Sequence, residues 1–161
     1  MGRVILAHLT NPNPNFREGS DLMLTVRMIR FCAEECHRQQ SGELSVAWMC
    51  EALEYADEIG NGLLIRKPSP EIILYIAAKV EPRLFQGGYR QVPITIEGIQ
   101  SGIRPEFINR AIENLGSSTD TTTPEEFYQE FETIHPFQDG NGRVGAILYN
   151  LLRGTLDYPI A

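Results

Sequence analysis

The nine residues His135-Pro136-Phe137-Gln138-Asp139-Gly140-Asn141-Gly142-Arg143 constrain this chain more than any other stretch. They stand between two helical patterns. Upstream, Thr123-Pro124-Glu125-Glu126 is a capping box with Pro at the first helical position, and Phe127, Phe131 and Ile134 recur at helical spacing behind it. Pro136 ends that helix, so His135 lies at its mouth. Downstream, Val144, Ile147, Leu148 and Leu151 resume the helical period. Between the two, Gly140, Asn141 and Gly142 tolerate backbone angles that other residues avoid. The chain must therefore form a helix, a tight loop and a second helix, with Phe137 placed to plug the loop into a core.

The rest reads as mostly helical. Residues 1–19 are irregular, with a turn-rich Asn11-Pro12-Asn13-Pro14-Asn15. From Ser20 a helix is expected with Leu22, Val26, Ile29, Ala33 and Cys36 inward, broken at Gln39 to Gly42. A second helix runs from Ser45 to Gly60-Asn61-Gly62 and buries Val46, Met49, Cys50 and Leu53. Ser69-Pro70-Glu71 opens a third, with Ile72, Ile73, Ile76, Ala77 and Val80 on one face, ending near Pro82. Pro105 opens another, with Phe107, Ile108, Ala111, Ile112 and Leu115 inward, ended by Gly116. Residues 87–99 differ. Val92, Ile94 and Ile96 alternate with Gln91, Pro93 and Thr95, which is a strand period, and Pro93 restricts it to an edge strand. Two readings stay open there: an ordinary loop, or a flap whose free edge pairs with an extended peptide. There is no internal repeat, and 161 residues make one domain, residues 1–161.

Composition narrows the function classes. A formal charge of -7 argues against nucleic acid as a partner, although a helix N-terminus and one Arg still hold a phosphate locally. Cys32, Cys36 and Cys50 are too few and odd in number for a disulfide framework. Cys32 and Cys36 lie one turn apart, but His37 points off that face, so packing rather than metal is expected. No long apolar run reads as a signal peptide or a membrane span, and Leu6 stands where a myristoylation signal needs Ser or Thr. A cytoplasmic location is the default, and a host cell reached by secretion fits as well.

The 135–143 loop carries the chemistry. Several of its backbone N–H groups can converge as an anion nest, and the dipole of the following helix adds to them. His135 is a base suited to neutral pH, Asp139 is a hard oxygen ligand suited to Mg²⁺, and Arg143 is a cation in the first turn. Singly, each has an ordinary structural reading as a cap or turn residue. Together they suit transfer of a phosphate-linked group to a hydroxyl.

The run resembles the signature of the Fic family, His-Pro-Phe-x-(Asp/Glu)-Gly-Asn-Gly-Arg continued by x-x-Arg, and every fixed position from His135 to Arg143 matches. Gly88-Tyr89-Arg90, Ile94 and Gly98 resemble the family's flap, and Leu148 and Asn150 extend the likeness downstream. The resemblance implies an all-α, Fic-type helical bundle with a small β-hairpin flap over the active site. It implies a protein adenylyltransferase that moves AMP from ATP, with Mg²⁺, to a Ser, Thr or Tyr hydroxyl of a target protein. By motif match, His135 would take the hydroxyl proton, Asp139 would hold Mg²⁺, and Gly140, Asn141, Gly142 and Arg143 would bind the phosphates. The protein substrate would lie along flap residues 90–97. A phosphate-transferring branch resembling the Doc toxins carries Lys where this chain has Gly142.

One position departs from the pattern. The family's second Arg falls on Ala146, and Arg153 lies about 10 Å further along the helix axis. At an exposed helical site, Ala146→Arg would cost only a few tenths of a kcal/mol. The family's inhibitory pattern, Ser/Thr-x-x-x-Glu-Gly/Asn, is not matched at Glu18-Gly19, Glu97-Gly98 or Glu113-Asn114. Regulation is then left to a separate inhibitory protein. Two alternatives stand beside AMP transfer: a weakly active nucleotide- or protein-binding domain, and a transferase using another diphosphate-linked donor.

Overall fold

The computed structural model describes residues 24–62, 68–96, 98–117 and 122–160. Six helices account for most of them: α1 (Val26–Arg38), α2 (Glu43–Gly62), α3 (Pro70–Val80), α4 (Pro105–Ser117), α5 (Pro124–Ile134) and α6 (Asn141–Arg153). Between α3 and α4, β1 (Ile94–Ile96) and β2 (Ile99–Ser101) form an antiparallel hairpin in which Ile94 faces Ser101, Thr95 faces Gln100 and Ile96 faces Ile99. The all-α fold with a small hairpin is therefore as the sequence implied.

Helix α6 is the axle of the bundle. Helices α1, α2, α3 and α5 all pack on it. Val144, Ile147, Leu148 and Leu151 are buried as the period predicted, but so are Gly145, Ala146 and Asn150. A helix buried on most of its circumference has no polar face to spare, and its small residues let neighbouring helices approach. A Cβ on Gly145 would come within 2.9 Å of the Tyr128 ring and 2.8 Å of Glu132 Oε1.

The helix starts follow local chemistry. Ser69 Oγ accepts from the Ile72 N–H at 3.4 Å. Thr123 Oγ1 accepts from the Glu126 N–H at 3.2 Å while Glu126 Oε2 accepts from the Thr123 N–H at 2.8 Å, the reciprocal capping box read from sequence. Behind it, Phe127, Phe131 and Ile134 are buried.

Two faces and one strand differ from expectation. Helix α1 starts at Val26, capped by Thr25; the expected start at Ser20, with Leu22 and the irregular 1–19 segment, lies outside the described residues. Its buried face is Met28, Phe31, Cys32 and Cys36, whereas Val26 is 82% and Ile29 44% exposed and Ala33 is exposed. Both apolar stripes satisfy the helical period, and the one carrying the larger side chains, Met28 and Phe31, faces the core. On α4, Phe107 is 54% exposed, one position off the buried stripe Ile108, Ile112 and Leu115. The 87–99 stretch is a hairpin rather than a plain loop, but β1 begins at Ile94 and leaves Val92 outside it, because Pro93 cannot donate to a ladder. Gly98, at φ 81°, makes the turn to β2.

The cysteines pack as small apolar groups. All three are buried and free, and Cys36 Sγ donates to Met49 Sδ at 3.8 Å between α1 and α2. No helix among the described residues is long and apolar enough to cross a membrane.

Because the capping box satisfies two N–H groups that the helix itself cannot, Thr123→Ala is expected to cost about 1 kcal/mol and lower the melting temperature by about 2–4 °C. Thermal unfolding followed by circular dichroism checks this, and an unchanged Tm would mean that the box contributes nothing.

Candidate active site

The site is built where α5 stops. His135 caps that helix in the left-handed conformation, φ 50° and ψ 64°, and its N–H donates to Phe131 O at 3.0 Å. A non-glycine residue held there stores about 1–3 kcal/mol and persists only where its surroundings over-determine it. Here they do. The last carbonyls of a helix have no partner within it, and the hairpin root supplies partners for three in a row. Ile134 O accepts from the Ile103 N–H at 3.3 Å, His135 O from Arg90 Nε at 2.7 Å, and Pro136 O from the Arg90 N–H at 2.9 Å.

The half-buried His135 imidazole has its pKa held below the usual histidine value. Burial is the main cause, and the Arg90 charge acts in the same direction, while a hydrogen bond to the Glu132 backbone and the Asp139 carboxylate oppose them. The ring is thus biased towards the neutral form that a base needs.

Beyond it the loop is closed from within. Asn141 Oδ1 accepts from the Phe137 N–H and Asn141 Nδ2 donates to Phe137 O, both at 2.8 Å. The Asn141 side chain is therefore committed to the loop. Phe137 is buried and its ring meets Tyr89 at 5.7 Å, Phe85 at 6.3 Å and Phe131 at 6.4 Å between centroids. Gly140, at φ 80°, is the N-cap of α6 and offers no side chain to the first-turn N–H groups. A Cβ there would sit 3.2 Å from Val80 and 3.5 Å from Arg143 Nη2. The backbone N–H groups of residues 141–143 thus form the N-terminus of a thirteen-residue helix that no side chain caps.

Arg143 is placed differently from a free cation. It is 1% exposed and turns to the end of α3: Nη1 donates to Val80 O, and Nη2 to Glu81 Oε2, both at 3.3 Å. Asp139 Oδ1 lies 3.5 Å away. Glu81, itself buried at the C-cap of α3, is a member of this site that sequence reasoning missed; Glu81-Pro82 reads only as the end of a helix.

The Asp139 side chain is 53% exposed, and Oδ1 accepts from the Gly140 N–H at 2.6 Å. Among the described residues no group of three or more His, Cys, Asp or Glu could hold a metal by itself. One accessible carboxylate beside backbone donors fits Mg²⁺ that takes its remaining ligands from water and phosphate.

Ala146 is 8% exposed, so the expectation of an exposed helical site is overturned: four helices pack around α6 and cover this position. Arg153 stands at the far end of α6, paired with Glu125 at 2.6 Å. Gln39, at the end of α1, lies over the first turn of α6 instead. A Cβ on Gly142 would come within 2.7 Å of its amide. Gln39 and Arg38 both donate to the buried Glu35 carboxylate.

The Fic/DOC family model matches residues 67–152, which span α3 to α6 and include the hairpin. The chain belongs to the Fic/DOC family. Among solved structures it is similar to a Fic family protein from Desulfovibrio desulfuricans G20, at 19% identity and a TM-score of 0.55. The match covers 84% of this chain and 46% of that one, so the chain spans about half the length of that relative. No match was found among the curated proteins. The family model begins just before α3, so α1 and α2 lie outside it.

Two outcomes are expected. Asn141→Ala strips both partners from the buried Phe137 peptide groups and should cost about 2–4 kcal/mol in urea unfolding, a change below about 0.5 kcal/mol refuting the closed loop. The second concerns pH. A folded-state pKa below the unfolded one means that the unfolded chain binds more protons, so His135 contributes stability at neutral pH that is lost as pH falls through its two pKa values. Below the usual histidine value, the wild type should therefore lose stability faster than His135→Gln, measured by urea titrations at stepped pH. Parallel curves would show that His135 is not held neutral.

Proposed function

We propose that this chain transfers AMP from ATP to the hydroxyl of a protein Ser, Thr or Tyr. The observation that carries the reading is the neutral-biased, half-buried His135 on the loop that leads into the uncapped N-terminus of α6, a loop whose sequence matches the family signature from His135 to Arg143. His135 takes the proton from the acceptor hydroxyl. The acceptor oxygen forms a bond to the α-phosphorus, the bond from that phosphorus to the bridging oxygen of the β-phosphate breaks, and pyrophosphate leaves. The backbone N–H groups of Asn141, Gly142 and Arg143 receive the negative charge that develops on the phosphates, where a fixed helix dipole is most effective. Gly140 makes the turn into α6 with no side chain to cap its first-turn N–H groups. The buried Arg143 guanidinium keeps the loop seated on α3 and adds background charge. Mg²⁺ held at Asp139 would supply charge neutralisation between the phosphates.

The acceptor segment lies along the hairpin. Among the described residues only two strands are paired, so each has a free edge that an extended peptide can extend, and Thr95, Ile99 and Gln100 are exposed. A small cleft lined by Ala77, Glu81, Phe85, Tyr89, Phe137 and Asp139 flanks the loop on its α3 side.

A second reading keeps the chemistry and changes the donor. With Ala146 where the family signature has its second Arg, and Arg153 paired with Glu125 at the far end of α6, the chain lacks one cation for distal phosphates, which favours a donor with fewer of them, such as a diphosphate-linked phosphocholine or UMP.

The test is a donor panel with intact-mass readout on the full chain and on His135→Ala at matched Mg²⁺. AMP transfer predicts a mass increase of one AMP from ATP in the wild type and a loss of at least about a hundredfold in His135→Ala, with nucleotide affinity retained. Transfer from another donor alone supports the second reading. Equal rates in the two proteins would remove His135 from the mechanism.

A further inference from the structure

Arg90 is 5% exposed and pairs with no carboxylate among the described residues. Its charge is satisfied by backbone alone. Nε donates to His135 O at 2.7 Å, Nη1 to Val92 O at 3.0 Å and Nη2 to Ile103 O at 2.5 Å. Those three carbonyls belong to the candidate base, the segment leading into β1 and the segment leaving β2. Gly102 closes the same contact from the other side. It has φ 72°, and a Cβ there would fall 2.6 Å from Arg90 Nη2, 2.8 Å from His135 Cβ and 2.9 Å from Ile134 O.

We infer that Arg90 is a positioning residue for the transfer: one buried guanidinium ties the backbone of His135 to both roots of the hairpin, so that the base and the acceptor-binding edge are placed by the same group. This rests on the reading of His135 as the base. The planar fork is what makes it possible, because a guanidinium presents five donors at fixed angles, whereas an ammonium cannot reach three carbonyls in one plane. The left-handed turn of His135 costs energy, and the bond from Arg90 Nε to its carbonyl offsets part of that cost. Slack in the hairpin root therefore becomes misplacement of the imidazole. A segment binding the hairpin edge and the proton acceptor are held in one frame, with Gly102 leaving room for them to meet.

The experiment compares wild type, Arg90→Lys, Arg90→Met and Gly102→Ala in the full chain, by histidine-ring NMR titration, amide exchange and single-turnover transfer. The His135 signal is identified by its loss in His135→Ala. The charged groups facing the ring are Arg90 and Asp139. Arg90→Met should raise the His135 titration midpoint, since the repelling charge leaves and Asp139 remains. Arg90→Lys should leave that midpoint near the wild type. In both, amides of the hairpin should exchange about tenfold faster while those of α2 and α3 keep their protection. Transfer should fall about a hundredfold in kcat with donor KM within about twofold, and Lys should restore little of it. Gly102→Ala keeps the guanidinium and should reproduce the hairpin and kcat effects, which preserves the test if Arg90→Met does not fold. An unchanged His135 titration with unchanged hairpin exchange would overturn the inference, as would a uniform loss of protection across all helices. If the wild type transfers nothing, the reading of function fails, and the NMR and exchange results still decide whether Arg90 places His135.

Discussion

Three consecutive carbonyls at the end of α5 hold the rest of the site in place. A helix that stops in the interior leaves acceptors without partners, and burying them unpaired costs about 1–3 kcal/mol each. Ile134, His135 and Pro136 find their donors in the hairpin root, two of them from Arg90. The hairpin is thereby anchored to the helical bundle, although its two short strands could not stand alone in water. The same bonds hold His135 in a backbone conformation it would otherwise leave. Arg90, the strand pair and His135 are joined by one set of hydrogen bonds.

The loop that follows solves the opposite problem. Helix α6 begins with donors that must stay open if an anion is to use them, yet the loop must not collapse onto them. Asn141 takes over the Phe137 peptide from behind, Phe137 joins the aromatic cluster with Phe85, Tyr89 and Phe131, and Gly140 turns without a side chain. Arg143 clamps the first turn to the end of α3 through Glu81. Removing one partner of such a buried pair is more damaging than its net contribution implies, because the other charge is left without compensation. The polar side chains of the loop thus work mainly on its shape, and the backbone is left to face a ligand.

Much of this was legible in the residues themselves. The capping box at Thr123, the Ser69 cap, the loop between Ile134 and Asn141 and the buried positions Val144, Ile147, Leu148 and Leu151 follow from local rules that act within a turn or two. The misreadings have a common cause. Val26, Ile29 and Ala33 satisfy the helical period as well as Met28, Phe31 and Cys32 do, and Phe107 sits next to Ile108, so periodicity alone does not say which stripe meets the core. Ala146 looked exposed because a small residue carries no signal of burial, and only the packing of four helices around α6 makes it interior.

The amino-acid sequence by itself determined the helices, the capped starts at Ser69 and Thr123, and the presence of a His, an Asp and a glycine-rich loop within nine residues, because all of these depend on neighbours close along the chain. The tertiary structure alone decided what those residues touch. Arg90 reaches His135 across 45 positions and Arg143 reaches Glu81 across 62, and no local pattern records either distance. A buried guanidinium can pair with a carboxylate or with bare carbonyls, and the choice is made by whichever acceptors the packed helices leave unsatisfied.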